Sequence, residues 1–141
     1  MEKKQTMLIV DDKEINRAIL ASYFRDEFNI LQAEDGQETL DYVYSQPIDI
    51  IMLDLVMPKM SGMEVLYKLK TNPRYSDIPV IVTTSVNDTS SEAFSMERGA
   101  ADYITKPYNP IIVRCRVFNV LGRKENEQLK LHQSVQERRI S

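Results

Sequence analysis

Short apolar runs that stop on charge restrict the fold of this chain more than any other feature. Met7 to Val10 stops at Asp11-Asp12, Ile48 to Leu53 stops at Asp54, and the run holding Tyr103 and Ile104 stops at Lys106-Pro107. A short, continuous apolar run reads as a strand covered on both faces, the mark of a parallel sheet. Each charged group then stands at the carboxyl end of a strand. In an open parallel sheet those ends share one edge, and ligands bind in the crevice there. Three carboxylates and one amine would meet at that edge, a set suited to a divalent cation and a phosphoryl group.

The segments between the runs are helical in pattern. Ile15, Ile19 and Tyr23, with Leu20 beside them, predict an amphipathic helix from about Lys13 to Asp26. Ile30 to Ala33 follows as a strand, closed by the turn pair Asp35-Gly36, and a second helix turns Leu40 and Val43 inward. Ile48 to Leu53, the most apolar run, is expected at the centre of the sheet. Met63, Leu66 and Leu69-Lys70 mark a third helix that stops before Pro73. Val80 to Thr84 is β-branched throughout and predicts a fourth strand. Ser85 to Ser91 reads as a loop, followed by a weak helix to Arg98 that Gly99 closes. Asp102 to Thr105 is the fifth strand, and Pro110 opens the last helix. Five β-α units with short loops predict an α/β fold with a doubly wound, five-stranded parallel sheet and right-handed crossovers. The pattern does not choose the strand order.

With 141 residues the chain can build one hydrophobic core but not two. That core is expected to occupy residues 1–122. Residues 123–141 are too polar to join it and read as a helical tail or linker. A net charge of -3 and the lack of a basic stripe argue against direct nucleic-acid binding. The single cysteine, Cys115, excludes an internal disulfide and fits a reducing compartment. The apolar run ending at Val10 is too short and wrongly flanked for a signal peptide or a membrane span. A cytoplasmic location is therefore expected.

Asp54, at a strand end, can act as a nucleophile and form an acyl phosphate. Alone, it could also be a simple loop aspartate, the less favoured of the two readings. Asp11 and Asp12 could cap the first helix, but capping needs only one of them. If Asp54 joins them, like charges about 4 Å apart repel by roughly 4 kcal/mol at an effective dielectric of 20. Such a cluster protonates or recruits a cation. Mg²⁺ suits it, with oxygen ligands and a shell completed by water and phosphate, and Mn²⁺ would bind similarly. His132 and Cys115 lie away from this edge, which argues against zinc. Lys106 can serve as a point charge on phosphate. In isolation it would pass for a surface lysine, but the following Pro107 allows a cis bond that would fix its direction. Thr84 offers a hydroxyl at the end of its strand.

Four segments in order carry a family resemblance: "LIVDD" from Leu8 to Asp12, "DLVMPKMSG" from Asp54 to Gly62, "PVIVTTS" from Pro79 to Ser85, and "GAADYITKP" from Gly99 to Pro107. From about Thr6 to Gly122 the chain resembles the receiver domain of two-component response regulators. The resemblance implies a flavodoxin-like sheet of order 2-1-3-4-5. It implies Asp54 as phosphoacceptor and Lys106 on the phosphoryl group, with Thr84 as the switch hydroxyl and Tyr103 as the aromatic that turns inward with it. Asp12 would hold Mg²⁺ directly and Asp11 through water, with Asp54 and the backbone carbonyl of Val56 as further ligands. The surface of residues 90–98, 102–105 and 110–121 would be the output face. A sensor histidine kinase or phosphotransfer protein would be the partner, and the chain would be a phosphoacceptor rather than an enzyme. Ser85 departs from the family's usual alanine or other small residue, a change that serine should tolerate. Val56 and Val86, two residues beyond Asp54 and Thr84, are apolar and cannot orient a water, which implies a long-lived phosphoform.

Three rivals fit less well. A haloacid-dehalogenase phosphatase needs a second aspartate two residues after its nucleophile, where this chain has Val56. A flavin-binding module needs a Ser-, Thr- and Gly-rich first loop, whereas Asp11-Asp12-Lys13 would repel a phosphate. A degenerate receiver would lack some of the five polar residues, and all are present. The 19 residues past Gly122 are too few for a helix-turn-helix unit. The chain is thus expected to be a stand-alone receiver or the N-terminal module of a larger enzyme such as a cyclic-dinucleotide synthase or hydrolase. Leu121, Gln128 and Val135 form a thin heptad that predicts a homodimer through the last helix. A break at Gly122 is the competing outcome.

Overall fold

Strand β1 (Gln5–Val10) lies between β2 (Phe28–Ala33) and β3 (Ile50–Asp54), and the sheet continues through β4 (Val80–Ser85) to β5 (Asp102–Lys106). Every pairing is parallel, in the order β2-β1-β3-β4-β5. This is the doubly wound, flavodoxin-like order. The structure is a computed structural model and describes residues 3–85 and 89–140, with side-chain surroundings given as far as Lys130, Thr89 excepted. The helices are α1 (Glu14–Phe24), α2 (Gly36–Ser45), α3 (Gly62–Lys70), α4 (Thr89–Glu97) and α5 (Pro110–Ile140).

Alternation along each strand feeds two cores. Leu8, Val10, Leu53 and Val82 face α2 and α3, where Leu40, Val43, Val65, Leu66 and Leu69 meet them. Met7, Ile9, Met52, Ile81 and Ile104 face α1 and α5, against Leu20, Phe24, Val113, Val117 and Val120. Coverage on both faces is why β1, β3 and β4 read as largely apolar runs, while the edge strands β2 and β5 carry polar positions. Every residue of β3 is buried, as its central place requires. The register sets Val10 opposite Leu53, Asp54 opposite Thr83 and Ser85 opposite Lys106. The polar ends of four strands therefore finish level with one another.

The buried face of α1 differs from the expected stripe. Leu20, Ala21 and Phe24 point inward, while Ile15 is 69% exposed and Ile19 lies on the surface. The helix carries two apolar stripes; the one ending in Phe24 is buried, while Tyr23 of the expected stripe is half-buried against the same core. Phe24 packs edge-on against Phe28 at 5.7 Å, while Arg17 on the same helix donates to the Asp11 carbonyl at 2.7 Å. Asp35 is not a closing turn but the N-cap of α2, its carboxylate accepting the Glu38 N–H at 2.8 Å. Ser61 caps α3 and Asn109 caps α5 in the same manner. Helix α4 begins at Thr89, inside the segment expected to be loop; residues 86–88 of that segment lie outside the described residues. Gly99 follows it with φ 102°, as a helix-closing glycine does.

Helix α5 continues through Gly122 without a break. A side chain at Gly122 would meet nothing within 4 Å. Among the described side chains past it, only Lys124 is even half-buried, in keeping with a segment outside the core. No helix among the described residues is long and apolar enough to cross a membrane.

Candidate functional site

The level strand ends bring Asp11, Asp12, Asp54, Thr84 and Lys106 to one edge of the sheet. Asp11, Asp12 and Asp54 each place a carboxylate oxygen within 4.8 Å of the others. Asp11 and Asp54 are buried, at 1% and 4% exposure, and Asp12 is exposed. The capping alternative for the acid pair is not realised. Lys13 occupies the N-cap of α1 without a side-chain cap, and its N–H donates back to Asp11 Oδ1 at 2.9 Å. Asp12 makes no hydrogen bond or ion pair among the described residues, so its carboxylate is free.

Lys106 Nζ stands 3.0 Å from Asp11 Oδ2 and 3.4 Å from Asp54 Oδ2. The peptide bond between Lys106 and Pro107 is cis. The other Asp54 oxygen accepts the Val56 N–H at 3.2 Å. Burial pushes the Asp54 carboxyl up from its ordinary range; Lys106 opposes this, Asp11 adds to it, and the Val56 N–H opposes it. One ammonium thus offsets part of the charge of three acids. The donors are all hard oxygens, and the partly unneutralised cluster is one that Mg²⁺ or Mn²⁺ would fit.

The loop after Asp54 is held tightly. Gly62 donates its N–H to the Leu55 carbonyl at 3.0 Å, and a Cβ there would run into the Asp54 carbonyl oxygen. Lys59 in the same loop adopts φ 67°. The Val56 side chain projects into solvent at 72% exposure. Val86 lies outside the described residues.

Thr84 is 3% exposed, and its Oγ1 lies 3.4 Å from Glu92 Oε1 on α4. Tyr103 is half-buried on β5, with the Arg116 guanidinium 5.3 Å from its ring centre and Arg116 bonded to Asp102 at 3.0 Å. Glu92 falls within the predicted weak helix and output face, but nothing in the sequence tied it to Thr84. Two further hydroxyls, Thr83 Oγ1 and Tyr108 Oη, are buried without a hydrogen-bond partner among the described residues. Burial pushes the Tyr108 phenol well above its usual range, with Asp11 and Asp54 nearby adding to the shift. The sequence offered no signal for this pair.

Residues 7–117 match the response regulator receiver domain family. The chain belongs to that family. It is 36% identical over 129 residues to a Vibrio cholerae protein named "Probable cyclic di-GMP phosphodiesterase", covering 92% of this chain and 29% of that protein. It is 34% identical over 118 residues to Response regulator RR06 of Streptococcus pneumoniae, covering 83% of this chain and 53% of the relative. The chain thus spans 29% and 53% of these two relatives. A crystal structure of a response regulator receiver domain protein from Clostridium thermocellum superposes with a TM-score of 0.77 at 26% identity, over 86% of this chain and 97% of that one.

Proposed function

We propose that this receiver domain takes a phosphoryl group onto Asp54 in a Mg²⁺-dependent reaction and relays the event to an output face. The observation that carries this reading is the bridge of Lys106 Nζ between Asp11 and Asp54, inside a cluster of three carboxylates. Asp11, Asp12, Asp54 and the Val56 carbonyl would hold the cation, with Mn²⁺ an adequate substitute. When bound, Mg²⁺ would help neutralise the phosphoryl oxygens. Asp54 supplies the attacking oxygen, held by the Val56 N–H. Lys106 balances equatorial charge as the phosphoryl group moves from donor to carboxylate. Thr84 then donates to a phosphoryl oxygen, and Tyr103 follows it inward.

The donor would be the phosphohistidine of a sensor histidine kinase or phosphotransfer protein, in the cytoplasm where such partners phosphorylate receivers. The chain itself turns over nothing beyond its own phosphorylation and autodephosphorylation. Incubation with a small acyl phosphate and Mg²⁺ is expected to add one base-labile phosphoryl group, seen as intact mass. No gain in mass would sink the reading. In Asp12→Asn the Mg²⁺ concentration for half-maximal labelling is expected to rise at least severalfold, since the exposed acid is the one free to meet a cation; an unchanged requirement removes Asp12 from the site.

Residues 1–122 would form the receiver proper and 123–141 its helical tail. A helix continuing through Gly122 with Leu129 54% exposed supports pairing of two copies along that tail. Sedimentation of the full chain against one ending at Gly122 tests this, and identical monomers would end it. A second reading makes the chain the front module of a larger protein such as a cyclic-dinucleotide synthase or hydrolase. The Vibrio cholerae relative, of which the chain spans 29%, favours it.

A further inference from the structure

The Thr84 hydroxyl carries one proton and can donate it to one acceptor at a time. Here that acceptor is Glu92 Oε1. Glu92 is half-buried in the first turn of α4, and its backbone carbonyl accepts the Ser95 hydroxyl at 2.8 Å. Ser95 is fully buried, and its own carbonyl accepts the Ala100 N–H at 3.0 Å. A chain of polar ties therefore runs from the end of β4 through α4 toward β5. No described side chain of α4 joins either apolar core, and Phe94 and Met96 lie exposed on it. An element held so lightly by apolar packing belongs to the easily moved part of a fold. Its polar ties then weigh heavily in where it rests.

We propose that Glu92 is a positioning residue that holds Thr84 in the dephosphorylated orientation, and that phosphorylation must break this bond. The proposal rests on the reading of Asp54 as acceptor and Thr84 as its responding hydroxyl. A phosphoryl group brings three acceptor oxygens and a charge of about -1.5 to -2. It competes with Glu92 for the single Thr84 proton, and one of the two must lose. The same charge repels the Glu92 carboxylate, so α4 is released at its first turn as Thr84 leaves. Glu92 thereby opposes phosphorylation, and its bond sets part of the threshold for switching. A lost bond of this kind is worth between about two- and tenfold in an equilibrium.

The test is titration of the full chain with beryllofluoride, a phosphoryl mimic, in the presence of Mg²⁺. Glu92→Ala is expected to bind it about two- to tenfold more tightly than the parent. Glu92→Gln keeps a neutral acceptor for Thr84 and is expected to fall between the two. In a Thr84→Ala background, removing Glu92 is expected to have a clearly smaller effect, since only the charge repulsion is left to relieve. Binding by both Glu92 variants equal to the parent's overturns the proposal, as does an Ala effect of equal size without Thr84. A parent that takes no beryllofluoride at all overturns the Asp54 reading and this proposal with it. A parent that binds normally beside unaltered variants overturns this proposal alone.

Discussion

Asp54→Asn is expected to take no phosphoryl group and, in metal-free buffer near neutral pH, to melt higher than the parent. The first outcome follows from losing the nucleophilic oxygen, since an amide cannot form the acyl phosphate. The second follows from where Asp54 sits. Burial raises its carboxyl pKa, Lys106 pulls it down, Asp11 raises it further, the Val56 N–H lowers it, and the balance is upward. A carboxyl raised in the folded state contributes stability that is fully present below its unfolded pKa and lost as pH rises through the folded value. At neutral pH the ionised Asp54 is therefore a net cost that asparagine removes. A gain of about 1 kcal/mol, or roughly 4 °C, is the scale for one such group in a domain of this size. The difference between the two proteins should shrink as pH falls through the raised titration range of the parent's carboxyl, where that carboxyl becomes protonated too. Added Mg²⁺ should stabilise the parent more than the variant, by mass action on the more complete site. Melting curves from pH 4 to 8, with EDTA or Mg²⁺, decide the matter. A variant that melts below the parent at pH 7 in EDTA contradicts the charge argument.

The parts of this architecture that were legible in the sequence are those written in continuous runs. β3 could be placed at the centre because a strand covered on both faces has no polar positions to confuse it. The meeting of Asp11, Asp54 and Lys106 was legible because each follows such a run, and parallel strands bring their carboxyl ends to one edge. The buried face of α1 was not. Its two apolar stripes share a period, and only the packing of Phe24 against Phe28 and Phe118 decides between them. The start of α4 was hidden because Thr89, Ser90 and Ser91 are residues that suit a loop or a helix N-terminus alike. The partnership of Glu92 with Thr84 was hidden as well, because it depends on how one helical turn rests on the end of β4. The tail kept two outcomes open. Gly122 lowers helix propensity, but neighbours of high propensity such as Leu121, Arg123 and Lys124 can carry a helix through it.

Gly62→Ala is expected to be among the most damaging single changes available to this domain, although alanine is the better helix former by about 1 kcal/mol. Gly62 opens α3, and the chain has doubled back so closely that its Cα rests against the backbone of Asp54 and Leu55. A Cβ built there collides with the Asp54 carbonyl oxygen and stands 2.6 Å from the Leu55 Cα. Both are backbone atoms of a buried strand end, so neither can rotate aside. The Gly62 N–H also donates to the Leu55 carbonyl, which ties the helix start to the same place. Relief requires α3 to slide outward or the end of β3 to shift, and β3 is buried on every side. Overpacking of this kind costs about 1–3 kcal/mol or more, roughly 4–12 °C in melting temperature. Because the strained atom belongs to Asp54 itself, labelling by acyl phosphate should slow along with the loss of stability. Gly122→Ala is the control. It lies mid-helix with nothing within 4 Å of the added carbon, so the same substitution should there raise the melting temperature slightly. If Gly62→Ala melts with the parent while Gly122→Ala behaves as stated, the close approach of α3 to the end of β3 is not what positions Asp54.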